Sequence, residues 1–181
     1  MIEPSPDLSH SQLSIHLVVE SQDDRWTSYL FWIEKHFTEL AEKILRHCRP
    51  KLTGDVELSC VLVNDQIIQV LNKTYREKDK PTNVLSFESG QLDQEFLLQT
   101  PLLLLGDLVL AYETIQKEAS DGSKSFENHL SHLFVHGMLH LLGYDHEVPE
   151  DAEIMEGLEV EILKFFNIDN PYNELDGNQV C

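Results

Sequence analysis

Basic residues are scarce in this chain. It carries 13 Lys and Arg against 32 Asp and Glu over 181 residues, a formal net charge of −19. Proteins that hold nucleic acid without specificity draw their affinity from neutralised phosphates and are normally basic. The balance therefore argues mildly against that class, although a few cations do cluster, in "KTYREKDK" (73–80). Acidity equally suits simple solubility. Cysteine is scarce as well: Cys48, Cys60 and Cys181 are three, share no close spacing and are odd in number. That argues against a disulfide framework and against a thiolate zinc site, which would usually show paired cysteines. Long apolar runs are lacking too. The richest, "PLLLLGDLVLAY", is interrupted by Asp107 and reads as a buried strand rather than the roughly 20 residues a bilayer requires. The start, "MIEPSPDLSHSQ", lacks the basic and apolar regions of a signal peptide. A soluble cytoplasmic protein without a membrane partner is expected.

What is present is ordinary for one folded domain. Hydrophobic residues make up 41% and charged residues 25%, and the length suits one core rather than two. "LSIHLVVE" alternates as a strand. "RWTSYLFWIEKHFTELAEKILRHC" places Leu30, Ile33, Phe37, Leu40 and Ile44 on one helical stripe. "DVELSCVLVN" is a second strand. In "NDQIIQVLNKTYR", Asn64 or Asp65 caps a helix that turns Ile67, Ile68 and Leu71 inward. "KPTNVLSFE" is a turn into a third strand, "LLLLGDLVLAY" a fourth, and "YETIQKEAS" a short helix. "SFENHLSHLFVHGMLHLLG" is apolar on most sides, as a central helix would be, and Gly143 suits its left-handed end. The last helix opens at Pro149 and buries Ile154, Met155, Leu158, Ile162 and Phe166. The expected fold class is α+β: a single domain over 13–168 with about four strands and about five helices. A flexible acidic lead, 1–12, precedes it, and a loose tail, 169–181, follows.

The chemistry concentrates in "HGMLHLLGYDH" (136–146). His136 and His140, four apart, share one helix face with β-carbons about 5–6 Å from each other. Two imidazoles there can converge on one ion at zinc–nitrogen distances of about 2.0–2.1 Å. Gly143 then lets the chain reverse so that His146 returns over the helix end. Three imidazoles with a fourth position open are the catalytic zinc arrangement, whereas a closed structural site would need a further ligand, for which Asp145 is the near candidate. With nine histidines in 181 positions, the HxxxHxxxxxH spacing arises by chance roughly 0.02 times. His132 cannot join the same ion, since about 12 Å of helix rise separates it from His140. It and His129 are assigned to the core or to supporting bonds. Gly137 stands where zinc hydrolases with HExxH carry a water-activating glutamate.

These residues resemble a known family. "HGMLHLLGYDH" with "EVPEDAEIMEGLEVEIL" is similar to the signature of the YbeY family, bacterial rRNA maturation factors and single-strand-specific endoribonucleases. "NDQIIQVLNKTYREKDKPTNVLSF" and "GDLVL" are similar to two further signatures of that family, in the right order. The likeness runs from about Leu13 to Phe166. It implies a mixed four-stranded sheet flanked by helices, a zinc-like ion on His136, His140 and His146, and an essential arginine at Arg76. It also implies work on the 3′ end of small-subunit ribosomal RNA and in ribosome quality control, with small-subunit ribosomal proteins or an assembly GTPase as partners. DNA is not expected as a substrate. Glycine after the first histidine belongs to this family's motif, while Glu88 stands where many members have proline.

The missing glutamate does not preclude hydrolysis, because three histidines on zinc can bring its water to a pKa of about 7 unaided. The expected roles follow. Arg76 grips the scissile phosphate through its planar fork. Lys78 and Lys80 hold flanking phosphates. Asp107 either orients a histidine or is a strand-end aspartate. Tyr75 and Phe87 are candidate stacking platforms, with core packing the better reading. Two alternatives stand beside the nuclease: a metallopeptidase-like zinc hydrolase, and a non-catalytic ribosome-assembly factor with a structural metal. Nickel, cobalt or copper would also suit three imidazoles.

Overall fold

The computed structural model describes residues 12–92 and 102–173. The acidic lead, all but its last residue, and positions 174–181 of the tail lie outside the described residues. The elements run β1 (Leu13–Ser21), a short 3-10 turn (Asp24–Trp26), α1 (Leu30–Cys48), β2 (Gly54–Val63), α2 (Asp65–Arg76), β3 (Val84–Glu88), β4 (Leu102–Ala111), α3 (Tyr112–Asp121), α4 (Phe126–Leu141) and α5 (Pro149–Lys164).

The strands form one mixed sheet in the order β1-β2-β4-β3. β1, β2 and β4 are parallel, and β3 runs antiparallel to β4 with Phe87 opposite Asp107. Parallel neighbours need long crossovers, and α1 supplies one between β1 and β2.

Helix α1 buries Ile33, Phe37, Leu40 and Ile44, four of the five residues on its apolar stripe. α4 touches β3, β4, α1, α3 and α5. Its burial of Leu130, Phe134, Val135, Met138 and Leu139 fits the all-round apolar pattern of a central helix. Phe134 stacks on Phe37 of α1 at 3.9 Å between ring centroids. The cap of α2 is Asn64, whose side chain accepts from Ile67 N at 3.0 Å. Asp65 instead accepts from the backbone and hydroxyl of Thr114 at the start of α3.

Helix α5 departs from its expected stripe. Ile154 is exposed, and Glu159 takes a buried place between Met155 and Ile162. Residues 169–173, assigned to the loose tail, lie against α4 and α5: Pro171 O accepts from Lys124 Nζ at 2.8 Å, and the Tyr172 hydroxyl donates to Glu159. Among the described residues, no helix is long and apolar enough to cross a membrane.

Candidate metal centre and phosphate cleft

The C-terminal half of α4 carries the histidines. His136 and His140 sit one turn apart, and the helix ends at Leu142, whose carbonyl accepts from Arg49 Nη2 at 2.6 Å. Gly143 follows with φ +84°, a left-handed conformation that costs glycine nothing. The chain reverses there, with Tyr144 N bonded to Leu139 O at 3.0 Å. His146 thereby returns to the other two. One ring nitrogen from each of His136, His140 and His146 lies within 4.8 Å of the others. Asp145, the candidate for a fourth ligand, uses Oδ1 to accept from His146 N at 2.7 Å.

Hydrogen bonds decide which ring atoms face inward. His140 Nδ1 meets Tyr144 O at 3.0 Å, and a carbonyl can only accept, so Nδ1 carries the hydrogen and Nε2 the lone pair. His136 Nδ1 lies 2.8 Å from Glu159 Oε1, with the same consequence. The two lone-pair Nε2 atoms then face each other at 3.1 Å. Two acceptors that close repel unless a cation lies between them. A tetrahedral ion with ligands at about 2.0–2.1 Å sets its nitrogens about 3.3 Å apart, near the observed spacing. Burial, followed by the neighbouring His136 and His146, depresses the pKa of His140 and keeps it in the neutral form a metal needs. The donor set fits a divalent transition metal.

Behind the ligands lies Glu159, which no sequence argument above singled out. It is wholly buried and accepts from His136 Nδ1, from His132 Nε2 at 2.7 Å and from the Tyr172 hydroxyl. Burial alone would raise its pKa, but the bonds from His132 and His136, with Tyr172, prevail and hold it at about 2. Burial, followed by the bond to the same carboxylate, drives the Tyr172 phenol well above its ordinary value. A signal existed in the sequence: an acid at helical spacing from Met155 and Ile162 stands on the buried stripe. His129, also placed in a supporting role, meets Glu118 at 2.8 Å.

Gly137 accounts for the missing glutamate. It faces the sheet, where an added Cβ would come 2.7 Å from Leu108 Cδ2 and 3.2 Å from Ser86 Oγ. Its carbonyl accepts from Ser86 Oγ. Any side chain at this position would enter the packed interface between α4 and β3–β4 rather than the histidine site.

Arg76 closes α2, and Glu77 ends that helix at φ 59°. The following loop is tied down by buried Asn72, whose Nδ2 donates to Lys80 O at 2.8 Å and whose carbonyl accepts from Lys78 N. Asn72 was not anticipated either, though it sits four residues after Ile68 on the inward face. The structure brings Arg76, Lys78, Lys80 and the three histidines to the lining of one cleft of about 710 Å³. Among the described residues, none of the three cations forms an ion pair, whereas nearby Lys73 is engaged by Asp79. Glu88, Asp145 and Glu147 line the same cleft. Three carboxylates thus line the cleft with three cations, and their charges cancel on a body of charge −19.

Asp107 does not join them. It is exposed and, with Glu57, Ser59 and Phe87, lines a shallow hollow away from the histidines. The next residue, Leu108, is the one that meets Gly137 of α4, and strand side chains alternate between faces. The carboxylate that reaches a ligand histidine is Glu159. Tyr75 is 63% exposed and stands edge-on to half-buried Phe87 at 5.1 Å; Phe87 packs against the buried cluster of Val63, Ile68, Leu85 and Val109, so the core reading fits Phe87 while Tyr75 lies at the surface.

Comparison with known proteins agrees with the topology and the motifs. A family model described as Endoribonuclease YbeY matches residues 23–167. Curated relatives of that description include one from Nitrobacter winogradskyi, 52% identical over 122 residues, covering 67% of this chain and 64% of its own length. One from Rhodopseudomonas palustris is 49% identical over 127 residues, covering 68% and 65%. One from Acinetobacter baumannii is 50% identical over 137 residues, covering 75% and 85%. The chain thus spans slightly less than two thirds of the first two relatives. The solution structure of TM1509 from Thermotoga maritima has a similar fold, with a TM-score of 0.52 at 22% identity, covering 91% of this chain and all of that one. The family match runs from the turn before α1 to just beyond α5 and contains all three histidines and Arg76, and the chain belongs to the Endoribonuclease YbeY family.

Proposed function

We propose that this protein is a metal-dependent endoribonuclease that cleaves single-stranded RNA. Membership of the family supports the activity, and one observation carries the assignment of the site: three inward imidazole nitrogens share a cleft with three cations that have no carboxylate partner among the described residues. His136, His140 and His146 would hold the ion, with zinc the expected metal. Bound there, it would supply Lewis acidity toward a phosphate oxygen and toward water.

The chain's own residues do the rest. The fork of Arg76 donates two parallel hydrogen bonds to the non-bridging oxygens of the scissile phosphate and neutralises charge as it grows in the transition state. Lys78 and Lys80 contact flanking phosphates, and Asn72 fixes the loop that presents them. Glu159 and Tyr144 O hold two of the histidines in register. We assign the biological substrate to the 3′ end of small-subunit ribosomal RNA, with a role in ribosome quality control, in the cytoplasm. Small-subunit ribosomal proteins or an assembly GTPase are the corresponding partners. The metallopeptidase alternative loses support from Gly137, since a water-activating glutamate at that position would point into the sheet.

The test measures cleavage of a single-stranded RNA and metal content together, on the wild type, His140→Ala and Arg76→Ala. The expected result is one equivalent of metal and cleavage in the wild type, neither in His140→Ala, and metal without cleavage in Arg76→Ala. Undiminished cleavage by metal-free His140→Ala would overturn the proposal. A cyclic phosphate on the product ends would assign the attack to the substrate's own 2′-hydroxyl, and its absence to water.

A further inference from the structure

Among the described residues, Glu159 is the one fully buried carboxylate. Burying a charge is costly unless every lone pair is served. Three donors serve this one: His136 Nδ1, His132 Nε2 and the Tyr172 hydroxyl. Its place on α5, between Met155 and Ile162, would accept leucine or methionine if packing were the sole demand. The donors are also unequal in consequence. His136 alone presents its other ring nitrogen to the ion site, 3.1 Å from that of His140.

An imidazole with a free Nδ1 distributes its hydrogen between both nitrogens, and the tautomer with hydrogen on Nε2 cannot ligate through that atom. The carboxylate removes the choice. Tyr172 approaches the same carboxylate from the chain segment after α5. That segment is held to the body by Lys124 Nζ, which donates to Pro171 O, and is shaped within itself by Tyr172 N donating to Asn170 Oδ1. Tyr172 lies beyond the residues matched by the family model, which end at 167.

We propose that Glu159 is a positioning residue that fixes His136 in its ligating tautomer, and that Tyr172 caps the carboxylate, making the docked segment 169–173 part of the metal centre. The inference rests on the metal-binding reading of His136, His140 and His146. Docking of the segment and retention of the ion are then coupled: removing either loosens the other.

The test uses the full chain with cobalt(II) and zinc(II). Metal affinity is read by competition with a chelator, the cobalt absorption bands report the ligand field, and nitrogen-15 NMR of the metal-free protein reports the His136 tautomer. Glu159→Gln keeps the shape and is expected to weaken zinc binding about 10- to 100-fold. It should also shift the His136 nitrogen resonances toward a tautomer mixture and perturb the cobalt bands. Tyr172→Phe should move the same readouts in the same direction by less. Glu159→Gln with wild-type affinity and wild-type nitrogen shifts would overturn the proposal. If that variant does not fold, Tyr172→Phe decides, because its residue is partly exposed: unchanged affinity and shifts would overturn the coupling. A wild type that binds neither metal would instead refute the metal-binding reading itself.

Discussion

His136 and His140 turn their Nε2 atoms toward each other across 3.1 Å, while their Nδ1 atoms are committed to Glu159 and to Tyr144 O. In neutral rings both inward atoms are acceptors, and the pair repels unless a metal ion or a proton lies between them. Metal should therefore stabilise the fold: at a free concentration 100 times its dissociation constant the gain is about 2.7 kcal/mol. A chelator should lower Tm, added zinc should restore it, and His146→Ala should respond weakly to both. A Tm indifferent to chelator and zinc in the wild type would contradict the site.

Arg76 is exposed, and its one side-chain hydrogen bond among the described residues, to Ser86 O, is long at 3.4 Å. Its removal should leave stability and metal content unchanged. Loss of charge stabilisation at the transition state is expected to lower kcat about 100- to 1000-fold in Arg76→Ala. Arg76→Lys should recover only part, because a point charge lacks the two-pronged fork. Equal cleavage by wild type and Arg76→Ala would remove the arginine from the mechanism.

If the cleft holds RNA, its near-neutral lining should make binding, and not cleavage alone, depend on the metal. A divalent ion would tip the balance of three cations and three carboxylates to net positive. Filter binding should show weaker single-stranded RNA affinity after metal removal. Lys78→Ala and Lys80→Ala should each reduce the slope of log affinity against log salt by about 0.7 for a single strand. Slopes identical to wild type would place those lysines outside the RNA path.

Gly137→Ala tests the close approach of α4 to the sheet. Alanine favours helices over glycine by about 1 kcal/mol, yet here its methyl would meet buried Leu108 at 2.7 Å. The overlap should win, giving a net loss of about 1–3 kcal/mol in denaturant unfolding. A stabilised variant would show that the interface has room to yield.

Glu118 supplies a pH signature. Burial favours its protonated form, but hydrogen bonds from His129 and Asn83 outweigh this and depress its pKa below 4.5. The unfolded chain thus takes up this proton first. The stabilisation is complete above about pH 4.5 and is lost as the pH falls through the lower folded value. Because the carboxylate is 39% exposed, solvent screening limits the effect to about 1 kcal/mol or less. Glu118→Gln should melt below the wild type at pH 7, and the two should converge in acid once the pH has fallen below the lowered folded value. A gap that persists in acid would assign the loss to something other than the charge.

Period and punctuation were legible in the chain. The 3.6-residue stripe of α1, the cap at Asn64, the stop at Gly143 and the spacing of His136, His140 and His146 are local properties, set within a few residues by backbone sterics and helix geometry. The signatures at both ends of the cleft were legible for the same reason. Three matters were not. Asp107 follows Gly106 and invited a role beside the histidines, but strand pleat and the register against Phe87 turn it to the other side of the sheet. Glu159 stands 23 residues from His136, and only the packing of α5 on α4 brings the two within 2.8 Å. Tyr172 depends in turn on where that helix ends. A sequence determines what each residue can donate or accept and which neighbours along one helix share a face. Which donor meets which acceptor across elements is decided by the packing of the core, since distances between helices follow from the side chains wedged between them.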